Sequence, residues 1–164
     1  MEIGNWKFSA GYTLVEMLIY MGLLSIIMVI LLQLFTSLID IQLDTRDSSV
    51  VEQDSKYILA RLFYDIHRAD SIASPGPLGT TTNTLQLAAG GTSYTYDIQN
   101  GNLYLVTSQS DQLNGVDTTI SNLSFKRIGN TDGKHLILVT YTVTSKINTT
   151  TPEVKNVSTT IGMR

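Results

Sequence analysis

The sequence predicts an α+β fold in which a long N-terminal helix packs on a C-terminal antiparallel β-sheet. Three observations support this prediction. An uncharged apolar run occupies residues 17–39, an amphipathic helical pattern follows over residues 40–73, and residues 74–164 alternate apolar and polar side chains as β-strands do. A helical part followed by consecutive strands is typical of the α+β class.

The first element is the uncharged run, which lies between Glu16 and Asp40. As an α-helix, residues 17–39 would be about 35 Å long, and the hydrocarbon core of a bilayer is about 30 Å thick. The run is apolar on every side, unlike the amphipathic helix of a soluble core. It is longer than the apolar region of a secretory signal peptide, and no A-x-A-like cleavage site follows it. We therefore expect residues 17–39 to span a membrane.

The second element is an amphipathic helix that we expect to continue the span as one rod, because no proline or glycine interrupts residues 23–73 and Pro75-Gly76-Pro77 then ends the helix. The predicted apolar face comprises Leu43, Val50, Tyr57, Ile58, Leu59, Leu62, Phe63, Ile66 and Ala69. The predicted solvated face comprises Asp47, Gln53, Asp54, Lys56, Arg61, Asp65 and Arg68. His67 and Asp70 are assigned to the same solvated charged surface, because residues two apart do not face each other on a helix.

The third element, residues 74–164, is expected to form one antiparallel sheet of five or six strands joined by hairpins. Asn100-Gly101 lies between two alternating runs, which is the strongest short signal for a hairpin. Gly90-Gly91 and 130–133 are further predicted turns. The predicted strands are Leu85–Ala88, Thr92–Ile98, Leu103–Val106, Ile120–Ile128, His135–Ile147 and Val154–Ile161.

The composition argues against most catalytic chemistry. The 164 residues include no cysteine, which excludes disulfides, Cys-ligated metals and thiol nucleophiles. No phosphate-binding loop, nucleophile elbow or zinc-protease motif is present. We therefore expect no catalytic residues, no cofactor and no metal site, with a cation in the loop 108–118 left open. The net charge of −3 provides no basic surface for nucleic acid.

The junction before the apolar run carries the most specific motif in the chain. Residues 11–16 read Gly-Tyr-Thr-Leu-Val-Glu and lead directly into residues 17–39. This segment resembles the processing site of type IV prepilins and of type II secretion pseudopilins. The resemblance implies a pilin-like fold, a leader over residues 1–11, and a transmembrane and assembly helix over residues 12–39.

The resemblance also assigns roles to three residues. In that family a membrane aspartyl peptidase, the prepilin peptidase, cuts after the glycine and methylates the new N-terminus. Carried over, the cut falls between Gly11 and Tyr12, Tyr12 is N-methylated, and Glu16 takes part in subunit assembly. Two departures from the family pattern are Ala10, where a base is common before the glycine, and Gln33, where many major pilins have proline.

The role of Glu16 also follows from electrostatics. A carboxylate near the edge of a membrane-spanning helix is costly and needs a partner. Cleavage after Gly11 would create a charged amine at Tyr12. That amine could pair with Glu16 in the same helix, four residues on, or in an adjacent subunit as the family does. An acid favoured by the helix dipole is the simpler alternative.

The spacing of apolar residues over 57–75, 94–103 and 120–125 looks like the W- or J-type minor pilins and minor pseudopilins. The implied function is a structural subunit of a type IV pilus, competence pilus or type II secretion pseudopilus. Its partners would be the prepilin peptidase, other pilin subunits and the membrane. Lys7 before the span and acids after it place the N-terminus in the cytoplasm and residues 40–164 outside as one domain. The alternative is a single-pass anchored binding module that does not assemble.

Overall fold

The structure is a computed structural model that describes residues 13–129 and 135–164, and it confirms the α+β prediction. The chain divides into two compact units, with the boundary between Ile41 and Gln42. The described residues form one helix, α1 (Leu14–His67), and nine strands: β1 (Ser71–Ser74), β2 (Thr81–Thr82), β3 (Leu85–Ala89), β4 (Thr92–Gln99), β5 (Asn102–Val106), β6 (Ser110–Gln112), β7 (Thr118–Gly129), β8 (His135–Ser145) and β9 (Val154–Gly162).

The strands form two sheets, so the expectation of one sheet with five or six strands is wrong. The first sheet has the order β1-β3-β4-β5-β6, and the second has the order β2-β7-β8-β9. Every strand pair is antiparallel, as predicted. The sequence missed β1, β2 and β6 because they contain only two to four residues, too few to show an alternating pattern.

Both predicted glycine turns within the described residues are confirmed as two-residue hairpins. Asn100 and Gly101 have φ of 52° and 75°, and they join β4 to β5 through the pair Gln99 and Asn102. Gly90 and Gly91, with φ of 56° and 77°, join β3 to β4 in the same way. Positive φ at both central positions gives the turn the twist that neighbouring strands require. The turn predicted at 130–133 lies outside the described residues.

Helix α1 ends at His67, six residues before the predicted end at 73. The next residues join the first sheet instead. The backbone N–H of Asp70 donates to the carbonyl of Ala88, and Ile72 of β1 pairs with Leu87 of β3. Ile72 is β-branched and buried, so pairing with β3 gives it a place in the core that continued helix would not.

The hydrophobic core of the unit Gln42–Arg164 lies between α1 and the two sheets. The buried apolar residues of α1 are Val51, Ile58, Leu62 and Ile66. They pack with side chains of both sheets, including the fully buried Tyr96, Phe125 and Tyr141.

The predicted apolar face of α1 is therefore only partly correct. Leu43, Tyr57 and Phe63 are exposed, although the sequence placed them on the apolar face. The error arises because the buried stripe also contains polar residues, which shifts it around the helix relative to a pattern of apolar residues alone.

Candidate functional site

The first turn of α1 carries the site that the sequence predicted. Thr13 precedes the helix and caps it, because its Oγ1 accepts a hydrogen bond of 3.3 Å from the backbone N–H of Glu16. Thr and Glu three residues apart are the pattern of a helix capping box. Glu16 is thus held in the first turn, at the start of the apolar segment. The other two predicted site residues, Gly11 and Tyr12, lie outside the described residues.

The Glu16 side chain forms its hydrogen bond with Tyr20. The hydroxyl of Tyr20 donates to Oε1 of Glu16 over 2.8 Å, one helical turn further along. Glu16 is half-buried, whereas every other described residue from Thr13 to Arg46 is exposed. Sequence reasoning missed Tyr20. The signal that could have found it is the i,i+4 spacing, which places two side chains side by side on a helix.

The surface around this site is apolar on all sides. The large apolar side chains along residues 14–41 are exposed, from Leu14 at 77% to Ile39 at 42%. Among the residues that the structure describes, α1 is the one helix long and apolar enough to cross a membrane. An all-round apolar surface of this length matches a lipid environment rather than water.

A second polar cluster lies on the packed half of α1, and it corrects the prediction of a solvated charged face. Asp65 is fully buried. Its Oδ2 accepts hydrogen bonds from Nε of Arg61 at 2.9 Å and from the hydroxyl of Tyr96 at 2.5 Å. Its Oδ1 lies 2.9 Å from Nη2 of Arg68 in an ion pair. The cluster joins α1 to β4, and solvent covers only the outer parts of the two arginines.

Electrostatics and aromatic contacts reinforce this cluster. Burial, followed by the hydrogen bond to the Asp65 carboxylate, raises the pKa of Tyr96 well above its ordinary value, so this phenol stays a donor. Burial is the largest single influence and opposes the charge of Arg68, but the Asp65 carboxylate, Tyr94 and Tyr64 together outweigh it and raise the pKa of Arg68. The Arg68 guanidinium also lies over the rings of Tyr64 and Tyr94, at 4.6 and 4.7 Å.

Other polar residues of α1 attach the helix to the end of β8, to the start of β7 and to the loop before β7. Asp47 is buried and accepts a hydrogen bond of 2.5 Å from Oγ of Ser145, so it too was wrongly assigned to the solvated face. Oδ2 of Asp54 accepts from the backbone N–H of Gly115 at 2.8 Å and from the hydroxyl of Thr118 at 2.5 Å. These contacts are structural, because each carboxylate accepts hydrogen bonds from donors within the same folded unit.

The described residues do not assemble a metal-binding group of three or more His, Cys, Asp or Glu side chains. In the loop 108–118, where the sequence allows a cation site, Asp111 lies in β6, and Asp117 pairs with Arg46 at 3.3 Å. His67 stacks on Phe63, with ring centroids 5.7 Å apart. The two acids of this loop and the histidine therefore lie in separate environments.

Comparison with protein families identifies the N-terminal segment. Residues 6–32 match the family model of the prokaryotic N-terminal methylation motif, which is typical of type IV pilins and pseudopilins. The match includes the junction at residues 11–16 and the first turns of α1. Neither the curated proteins nor the solved structures contain a match to the chain.

The fold and the site define a single-pass, membrane-anchored protein with a pilin-like α+β architecture. More specifically, the methylation motif over residues 6–32 supports a type IV pilin-like or pseudopilin protein with an apolar N-terminal helix. The motif implies processing by a prepilin peptidase and assembly with other pilins.

Proposed function

We propose that the protein is a minor pilin or pseudopilin of the W or J type. It is cut by the prepilin peptidase between Gly11 and Tyr12, methylated at Tyr12, and assembled through the apolar part of α1. It is a building block of a filament and a substrate of the peptidase, not an enzyme. The observation that carries the proposal is the methylation motif directly in front of an apolar helical segment that buries none of its side chains.

The exposed apolar segment supports assembly on physical grounds. Its side chains are compatible with lipid and equally with a bundle of similar helices. Moving from one to the other changes the hydrophobic free energy little, because the helix avoids water in both. Van der Waals packing and polar pairs then decide where a subunit sits. A filament of such helices therefore requires a polar contact that selects one position.

Glu16 supplies that contact in this proposal. Its carboxylate lies in the first turn of α1, beside an apolar surface where an unpaired charge costs several kcal/mol. The Tyr12 amine of a neighbouring subunit would neutralise it. Because only one axial offset brings the two charges together, the pair sets the register between subunits.

The proposal also includes the orientation in the cytoplasmic membrane. Lys7 precedes the apolar segment, whereas Asp40, Asp44 and Asp47 follow it. This distribution favours a cytoplasmic N-terminus and an exoplasmic domain over residues 40–164. The machine in which the subunit serves would be a type IV pilus, a competence pilus or a type II secretion pseudopilus.

The test is the N-terminal residue and mass of the protein recovered from its native membranes. We expect the chain to start at Tyr12 and to carry the mass of one added methyl group. The matched control is Gly11→Val, which should keep Met1 in the same cells. An intact Met1 in wild-type protein, with an active prepilin peptidase present, would overturn the proposal and leave an anchored binding module that does not assemble.

A further inference from the structure

We propose that Tyr20 is a positioning residue for assembly: its hydroxyl holds the Glu16 carboxylate within the subunit's own helix and orients it toward the incoming amine. The inference rests on the proposed function, because it assumes that Glu16 pairs with a neighbouring subunit. It adds a residue that neither the methylation motif nor the sequence pattern assigns to assembly. The observation behind it is the 2.8 Å hydrogen bond from the Tyr20 hydroxyl to Oε1 of Glu16.

The geometry of an α-helix favours this particular pair. Side chains of a helix tilt toward its N-terminus, so a long side chain reaches the residue four positions earlier. Tyr20 therefore extends back over Glu16 and not forward into the apolar segment. The result is visible in exposure: of the described residues between Thr13 and Arg46, Glu16 is the one that is not exposed. Tyr20 itself remains 51% exposed.

The contact meets a physical need of the subunit before assembly. A free subunit holds Glu16 at the edge of the bilayer, where a carboxylate without a hydrogen-bond donor is costly. A tyrosine is well suited to that depth, because its ring is apolar and its hydroxyl is polar. The bond therefore holds the Glu16 side chain in one conformation before the amine binds, which lowers the entropy cost of pairing.

The Tyr20 hydroxyl does not compete with the amine. An ionised carboxylate offers two oxygens and about four acceptor sites. Tyr20 donates to Oε1, so Oε2 can accept from the amine of a neighbour in the same complex. Hydrogen bonds to a charged group are also stronger than neutral ones. Loss of the Tyr20 hydroxyl should consequently weaken assembly and not strengthen it.

Other hydroxyls in the apolar segment behave differently. Oγ of Ser25 donates to the carbonyl of Met21 over 2.8 Å, and Oγ1 of Thr36 donates to the carbonyl of Gln33 over 3.0 Å. Both hydroxyls donate to backbone carbonyls of their own helix. They contact no charged group in those bonds, so Ser25→Ala is a control that removes a hydroxyl from the same apolar segment.

The first experiment compares Tyr20→Phe and Ser25→Ala as full chains expressed in the native cells. The readout is the fraction of mature protein recovered in the assembled filament fraction, relative to the membrane fraction. We expect Tyr20→Phe to be processed normally but to fall about fivefold in the assembled fraction, because the Glu16 side chain must then be ordered when it pairs. We expect Ser25→Ala to assemble like the wild type.

A second measurement reports on the carboxylate itself. Infrared spectra of the purified full chain in lipid bilayers, with ¹³C-labelled glutamate and Glu16→Gln as the reference, isolate the Glu16 stretching band. Tyr20→Phe should shift this band, whereas Ser25→Ala should leave it in place. An unshifted band in Tyr20→Phe would overturn the inference even if that variant were degraded in cells.

The outcomes separate this inference from the proposed function. If Glu16→Ala fails to assemble while Tyr20→Phe assembles like the wild type, the proposed function stands and the role of Tyr20 is wrong. If Glu16→Ala assembles normally, the proposed role of Glu16 is wrong, and the positioning role of Tyr20 falls with it. A defect in both variants, together with the shifted infrared band, supports both.

Discussion

Two parts of the same helix follow opposite rules of burial. From Leu14 to Ile41, α1 is apolar and buries no side chain within the protein. From Asp47 to His67 it is more polar, yet it carries the buried stripe: Asp47, Val51, Ser55, Ile58, Leu62, Asp65 and Ile66. Hydrophobic composition alone therefore does not predict which part of a helix is covered by its own chain.

The difference arises from the surroundings of each part of α1. The large apolar side chains of the apolar part are exposed, and its surface is suited to lipid or to similar helices. The packed part meets two sheets that offer donors as well as apolar side chains. Asp47 and Asp65 can be buried because Ser145 and Tyr96 donate to them. A buried carboxylate is tolerated when its lone pairs are used.

The largest expected effect comes from a matched pair of leucines. Leu62 is fully buried, and Leu24 is 63% exposed on the same helix. Leu62→Ala should lower the free energy of unfolding of the unit Gln42–Arg164 by about 3.5 kcal/mol, through lost burial and a cavity. Leu24→Ala should change it by less than about 0.5 kcal/mol. Denaturant unfolding in detergent micelles, followed by the near-ultraviolet circular dichroism of tyrosine, measures both. Equal losses in the two variants would contradict the comparison.

An intermediate effect is expected at the buried carboxylate. Asp65→Asn removes the charge that Arg61 and Arg68 share and weakens the acceptor for Tyr96. We expect a loss of about 2.5 kcal/mol, below the full cost of breaking a buried ion pair, because the two arginines are about one-third exposed. The control is Asp111→Asn at an exposed position, measured in the same unfolding experiment. A solvated role for Asp65 would instead make the two variants alike.

The smallest effect is expected at a half-buried acid of the same helix, Glu52. The hydrogen bond from Lys155, and next the one from Lys56, lower the pKa of Glu52 below its ordinary value of 4.5. Because the pKa is lower in the folded state, the stabilising contribution is present above the ordinary value. It is lost as the pH falls through the folded value.

Glu52→Gln should therefore lower the unfolding midpoint slightly at neutral pH and have less effect in acid. Denaturant midpoints measured at the two pH values test this expectation. The matched control is Glu153→Gln at an exposed position, where a surface substitution should change the midpoint little. A midpoint difference for Glu52→Gln that grows in acid would show that the ion pair does not stabilise the fold.

Local patterns in the sequence predicted the parts of the structure that depend on near neighbours. The apolar segment was predictable because its length and composition are properties of one stretch of chain. The turns at Gly90-Gly91 and Asn100-Gly101 were predictable because positive φ is a local demand that these residues meet at little cost. Glu16 was predictable from its place in a motif, and its contact with Tyr20 follows from i,i+4 spacing.

The sequence failed where a distant partner decided the outcome. Helix α1 ends at His67, and not at 73, because Ile72 pairs with Leu87 on another strand. The strands divide into two sheets because β1 pairs with β3 in one sheet, whereas β2 pairs with β7, far along the chain, in the other. These contacts join residues that are separated in the sequence, so a local sequence pattern does not reveal them.

The sequence by itself determined that an apolar helix precedes a β-rich part, that the chain carries the methylation motif, and that Glu16 stands at the start of the span. Only the tertiary structure decided which charges are buried. Asp65 and Tyr96 are 31 residues apart, and Asp47 and Ser145 are 98 residues apart. A carboxylate on a helix is assigned to the solvent until a donor is known to reach it, and only the folded chain brings that donor within hydrogen-bond distance.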